Sequence, residues 1–258
     1  MNQYQLTKFG FKFGKNGAHS ARTIMLDELE ILFDYCSADS TPGDYQAFVV
    51  EQNGLAKSTV KSRQLTYRHL VDLYGLNPEF AVFRIFRKLW DGYPDARPVL
   101  ALTIALARDP ILRLSTEFIQ EKKLGDAVVR EEIETILAAT EEGRYSPASL
   151  KSIAQNINGS WTRAGYLIGK AKKYRSEPAV GVANLTFCLF LAYLEGATAQ
   201  RLFLSHWVAL LGKNQDQLND LAVGAANRGL IVFMNAGGLL EVRFPEYLTS
   251  EEEGWRHE

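Results

Sequence analysis

Residues 176–248 constrain the fold most, because their order of patterns admits few architectures. An apolar run at residues 179–194 has helical period, and Gly196 breaks it. Leu202, Phe203, Trp207, Leu210 and Leu211 give a second helix its apolar face, closed by Gly212. A third helix starts near Gln215, holds Leu218, Leu221, Ala222 and Ala225, and ends at Gly229. Two β-rich runs follow at residues 230–234 and 239–244, separated by the turn signal Asn235-Ala236-Gly237-Gly238. Three helices followed by one hairpin is the winged-helix order, with Arg228-Gly229-Leu230 at the junction of third helix and first strand.

The preceding chain reads as helix throughout. Residues 1–21 mix Gly, Lys and Phe without helical period and read as an extended arm laying aromatics on the body. Ile24, Leu26, Leu29, Ile31, Leu32 and Phe33 form the broad apolar face of a first helix. Pro42 opens the next, Asn53-Gly54 breaks it, and Ser58 is the expected N-cap of a longer helix reaching Tyr74. That helix is expected to bury Val60, Tyr67, Leu70, Val71 and Tyr74 before Gly75 stops it. Residues 80–90 are apolar nearly all round and belong at the centre of the core, with residues 99–107 beside them. No stretch before residue 229 alternates with period two, so no sheet is expected there.

The polar stretch Glu141-Glu142-Gly143-Arg144 sets the expected domain boundary. The fold class read from these patterns is mainly α. An N-terminal helical bundle with its arm and a helix-turn-helix-like element fills residues 1–143. A winged helix with one β-hairpin and an acidic tail fills residues 144–258. In the second part, Ser146-Pro147 opens a helix that Asn158-Gly159 is expected to end, with Ser160 capping another. The tail Glu251-Glu252-Glu253 is expected to lack fixed structure.

Composition excludes several classes. The formal net charge is -1, so any basic surface must come from local clustering. Two cysteines, Cys36 and Cys188, sit in apolar stretches and read as buried thiols rather than a secreted disulfide framework. No signal peptide precedes the arm and no apolar stretch is long enough for a membrane span, so the expected location is cytoplasmic.

Enzyme signatures fail in turn. Residues 10–16 have short glycine spacing and Asn16 where a phosphate loop needs Ser or Thr. His19, His69, His206 and His257 lack metal spacing and read as surface or core histidines, and no Gly-x-Ser-x-Gly occurs. Asp109, Glu121 and Lys123 have the residue types of a metal-dependent nuclease, but that site needs adjoining strands in a region that reads as helix. No catalytic residue, metal or cofactor is therefore expected.

Two basic segments carry the chemistry that remains. Residues 160–176 hold Arg163, Lys170, Lys172, Lys173 and Arg175, interleaved with Trp161, Tyr166 and Tyr174 and with no acidic residue. Cations neutralise phosphates and aromatic faces lie on sugars or bases, so the segment reads as a DNA contact or as a solvated basic linker. The helix at residues 58–74 carries Lys61, Gln64 and Arg68 at three-to-four spacing on one face, with Lys57 before it and Arg63 near the stripe. It reads either as the recognition helix of a helix-turn-helix or as an ordinary exposed face. The third helix of the hairpin unit instead exposes Asp216 and Asp220, with positive charge only at Lys213 and Arg228, so it is a poor reader of a DNA groove by itself.

Several stretches together resemble one family. They are Asn53-Gly54-Leu55-Ala56-Lys57-Ser58-Thr59, Arg108-Asp109-Pro110-Ile111-Leu112, Gly165-Tyr166-Leu167, Gly169-Lys170-Ala171-Lys172-Lys173-Tyr174-Arg175, Pro178 before an apolar helix, and Ala226-Asn227-Arg228-Gly229-Leu230. Over residues 20–245 the chain is similar to the BrxA family of BREX phage-defence systems. It departs from the family in its longer N-terminal arm and weakly basic third helix. The resemblance implies a helical, non-enzymatic accessory protein whose partner is double-stranded DNA, with other defence-system proteins as further partners and no membrane. A protein-interaction adaptor and a winged-helix transcriptional regulator are the competing functions.

Overall fold

The computed structural model describes residues 2–140, 143–236 and 239–256. Capping side chains set where many of its helices begin. Helix α1 (Gln3–Lys8) opens on an Asn2–Gln5 capping box, so the arm starts as a helical turn rather than extended chain. The arm then buries Phe9 and Phe11 in the core. Helix α2 (Leu26–Tyr35) follows, then α3 (Pro42–Gln46), whose Thr41 and Asp44 cap each other. A π-helical turn at Ala47–Glu51 leads toward α4 (Val60–Tyr74).

Helix α4 starts one residue later than the pattern suggests, because the Thr59 hydroxyl, not Ser58, accepts the Ser62 amide at 3.1 Å. Val60 then sits in the first turn, 57 % exposed, instead of in the core. The buried face is carried by Thr66, His69, Leu70, Leu73 and Tyr74.

The centre of the molecule is α5 (Ala81–Gly92) against α6 (Arg97–Arg108), in which every residue from Val99 onward is buried. Phe86 of α5 stacks on Tyr74 and also meets Phe187 of α11 (Val182–Leu194), with ring centroids 6.1 Å apart in the second case. Asn184 of α11 donates to Ala96 O at 3.0 Å. The buried side chains on both sides of residue 143 thus belong to one continuous core. Glu141 and Glu142, where the boundary was placed, lie outside the described residues.

Between α6 and α11 the chain forms α7 (Pro110–Arg113), α8 (Thr116–Glu121), α9 (Arg130–Thr140) and α10 (Pro147–Arg163). Helix α10 runs straight through Asn158-Gly159, contrary to the expected break. Gly159 lies within the helix with its backbone close to the body: an added Cβ would lie 3.0 Å from Thr23 Cγ2.

The expectation of helix alone before residue 229 is also corrected. Strands β1 (Ala127–Val128), β2 (Leu167–Ile168) and β3 (Lys173–Arg175) form an antiparallel sheet in the order β1-β3-β2, with Tyr174 paired to Ala127 on one side and Ile168 on the other. Strands of two or three residues are too short to show alternation, which needs about four or more.

After α11 come α12 (Gln200–Phe203) and α13 (His206–Ala209), two short helices where one was expected, because Ser205 caps a new start at the Val208 amide. Helix α14 (Gln215–Asn227) leads into the hairpin of β4 (Val232–Ala236) and β5 (Leu239–Arg243), paired from Val232↔Arg243 to Ala236↔Leu239. Leu230 and Ile231 are buried ahead of the first strand, so it begins two residues late. The turn glycines Gly237 and Gly238 lie outside the described residues.

The acidic tail is helix α15 (Ser250–Trp255), not a structureless end. Its acidic first turn suits the helix dipole. Glu252, 4 % exposed, caps the Thr249 amide and pairs with Arg84 at 2.7 Å, and Trp255 meets Phe9 edge-on at 5.5 Å.

Candidate nucleic-acid interface

Residues 160–176 are not a linker. Ser160 to Arg163 close α10, and the rest forms β2, a tight turn and β3. The turn depends on Gly169, whose φ is +100° and whose Cα could not carry a Cβ without approaching Lys172 O to 2.1 Å. Lys173 Nζ donates back to Gly169 O at 2.6 Å and tightens it further.

Three of the segment's candidate contacts turn inward. Trp161 and Tyr166 are buried edge to face, 5.0 Å between centroids, and Trp161 Nε1 donates to Ser115 Oγ at 2.8 Å. Arg175 is 9 % exposed. Its guanidinium donates to Ile119 O at 3.1 Å, Tyr166 O at 3.3 Å and Ser176 O, and lies 5.3 Å from the Tyr166 ring centroid. Burial lowers its pKa, opposed by the Tyr166 and Glu177 side chains. Arg175 therefore leaves the set of DNA-facing residues. With no acidic residue in its own segment, backbone carbonyls became its partners.

Lys170 and Lys172 stand exposed at the turn, with no hydrogen bond or ion pair among the described residues. Arg163 is exposed but paired to Asp27.

On α4 the stripe of Lys61, Gln64 and Arg68 faces solvent. Lys57 pairs with Glu28 at 3.0 Å, and Arg63 Nη1 donates to Val50 O at 3.3 Å, so both are partly tied to the body. Arg22, absent from the sequence-based candidates, is exposed near this stripe. Burial lowers the His69 pKa, and the charges of Arg22 and Arg68 lower it further.

The two basic segments are neighbours. Asp27 and Glu28, adjacent in the first turn of α2, hold Arg163 on one side and Lys57 on the other. Thr23, Asp27, Arg163 and Lys173 border one shallow cleft of about 330 Å³. Residues a hundred apart in sequence thus share one surface.

Helix α14 offers little to DNA. Lys213 is paired to Glu177 at 2.5 Å, Arg228 donates to Gly224 O at 2.9 Å, and Asp216 and Asp220 are exposed.

One chemical constellation escaped the sequence reading. His19 Nδ1 lies 2.8 Å from Asp109 Oδ2, and its Nε2 lies 2.8 Å from Ser160 Oγ. The order serine–imidazole–carboxylate matches a nucleophilic triad. All three side chains are buried, however, and Ser160 Oγ also accepts the Ile24 amide at 3.0 Å and donates to Asn156 O at 2.9 Å. No substrate reaches such an oxygen. The carboxylate accepts the amides of His19, Ile111 and Leu112 at 2.9 to 3.1 Å, so it caps α7 while holding the arm. Burial pushes the Asp109 carboxyl up, but the His19 charge and hydrogen bonds and the Leu112 amide outweigh it and hold the group at about 2. The arm's backbone presses against this carboxylate at Gly17, where a Cβ would come 1.9 Å from Asp109 Oδ1. His19 is thus a core histidine locking the arm to α7 and α10.

No protein-family model matches the chain, and no curated protein matches it. Among the described residues no helix is long and apolar enough to cross a membrane.

Proposed function

We propose that the chain is a non-enzymatic, cytoplasmic DNA-binding protein, an accessory component of a BREX-like phage-defence system. The observation that carries the DNA reading is the pair Lys170 and Lys172. They project from a glycine-fixed turn without acidic partners, and the solvent-facing Lys61, Gln64 and Arg68 of α4 add a second uncompensated basic stripe. Cations left uncompensated on a protein of net charge -1 suit a phosphate backbone. Helix α4, preceded by α3 and its π-turn, serves as the second helix of a helix-turn-helix in this reading. Lys57, Arg63, Arg163 and Lys173 contribute field rather than free contacts. The defence-system assignment rests on the resemblance to the BrxA family at residues 53–59, 108–112, 165–175 and 226–230.

A second reading concerns the C-terminal unit, whose element order is that of a winged helix. The exposed acidic residues Asp216 and Asp220 of α14 and the exposed Val232 and Met234 of β4 favour a protein partner there over DNA. Fluorescence anisotropy with a labelled blunt duplex at low salt tests the main reading. Absence of binding would leave the adaptor reading in its place.

A further inference from the structure

We infer that the cleft between α10, the start of α9 and the β2–β3 turn holds one unpaired nucleotide, with its phosphate at the turn lysines and its base against the Gln155 amide and the Tyr174 ring. The inference deepens the DNA-binding reading by naming the unit held, and its chemistry stands without that reading.

The cleft has a volume of about 760 Å³, within the usual range of small-molecule sites and too small for a duplex. Four cationic side chains line it, Arg130, Lys170, Lys172 and Lys173, against the single carboxylate of Glu131. That carboxylate is taken up by Arg130 at 2.5 Å. Lys173 is bonded to the turn, so Lys170 and Lys172 are the cations left for a ligand anion.

The floor supplies the second half of the recognition. Asn158 is only 6 % exposed, lines the cleft, and its Oδ1 has no hydrogen-bond partner among the described residues. That oxygen is itself closed to solvent, so the ligand contact falls to its exposed neighbour on the same helix face. Gln155, one turn earlier on the same face of α10 and exposed, brings its amide to the cleft. An amide presents donor and acceptor side by side, the pattern that matches N6 and N7 of adenine. Tyr174, half exposed at the rim, offers a ring face for base stacking. A bare phosphate would satisfy the lysines but leave the Gln155 amide and the ring unused. A mononucleotide satisfies all of them.

A free nucleotide and an unpaired nucleotide in DNA present the same groups, and the test separates them. Calorimetric titration of the full chain with 2′-deoxyadenosine 5′-monophosphate should show saturable binding, with Kd on the order of 0.1 to 1 mM. Inorganic phosphate should bind more weakly. Lys170→Ala/Lys172→Ala should weaken the mononucleotide at least about tenfold, and Tyr174→Ala and Gln155→Ala should each weaken it too. Lys213→Ala, outside both basic segments, should leave it unchanged. A duplex with an overhanging adenosine nucleotide should bind more tightly than a blunt one, an advantage Tyr174→Ala abolishes. No saturable binding, equal affinity for inorganic phosphate, or indifference to the turn lysines overturns the proposal. If blunt duplex binds and the mononucleotide does not, the cleft proposal falls while DNA binding stands. If only the mononucleotide binds, the cleft stands, its ligand is a free nucleotide, and duplex binding falls.

Discussion

His19 Nδ1 stands 2.8 Å from the carboxylate of Asp109, ninety residues on, and both side chains are shut away from solvent. The carboxyl is held at about 2, below its ordinary 3.8. A depressed carboxyl stabilises the folded chain above its unfolded value and loses that contribution as pH falls through the folded one. The loss from this group should therefore fall between about pH 4 and pH 2 and amount to about 2 kcal/mol. Asp109→Asn should destabilise the protein at neutral pH by roughly 3 to 5 kcal/mol, since it leaves the buried imidazole and three amides short of a charge. Urea midpoints of both proteins across this range check it. An unchanged acid limb in Asp109→Asn would contradict the assignment.

Arg175 and Lys172, three residues apart, should behave as opposites. Arg175→Ala strips three backbone carbonyls of their donor and should cost roughly 2 to 4 kcal/mol. Lys172→Ala, at an exposed and unpartnered site, should change stability by less than about 0.5 kcal/mol. Thermal midpoints decide this, and equal shifts would place Arg175 at the surface.

Helix α15 should be part of the cooperative unit. Glu252→Ala removes both a cap and the partner of Arg84, and should cost roughly 2 kcal/mol. A chain ending after Leu248 should lose more, since Trp255 no longer covers Phe9. A midpoint unaffected by the truncation would return the tail to a passive role.

Neither thiol should react in the native state. Burial raises the Cys188 pKa strongly, and burial followed by the Asp44 charge raises that of Cys36. The thiolate is the nucleophile, so both should modify only at the unfolding rate. A fast phase with a thiol reagent under native conditions would show one of them to be accessible.

The long periodic elements were legible in the sequence and the tertiary ones were not. The heart of α4 with its exposed Lys61, Gln64 and Arg68, the near all-round burial of α5 and the order leading to the β4–β5 hairpin all follow from local period and turn residues. The β1-β3-β2 sheet left no trace because its strands are shorter than any period. Arg175 looked like Lys172 because a basic residue carries no local sign of whether phosphate or a buried carbonyl receives it. Ser160, His19 and Asp109 meet only through folding, and no spacing joins three residues so far apart. Asn158 looked like a helix terminator beside Gly159, whereas α10 runs on through both to Arg163 and Gly159 packs close to Thr23, a contact no local pattern announces.

The DNA-binding claim is tested most directly by the salt dependence of duplex affinity, measured by anisotropy on the wild type and on Lys61→Ala/Arg68→Ala/Lys170→Ala/Lys172→Ala. Each phosphate neutralised adds about 0.9 to the slope of log K against log salt. With about four to six such contacts, affinity should fall about 100- to 1,000-fold between about 50 and 200 mM salt. The quadruple variant should lose about 3 to 4 from that slope while unfolding at the wild-type temperature. A folded quadruple variant that keeps the wild-type slope, or a wild type that binds no duplex at low salt, would contradict it.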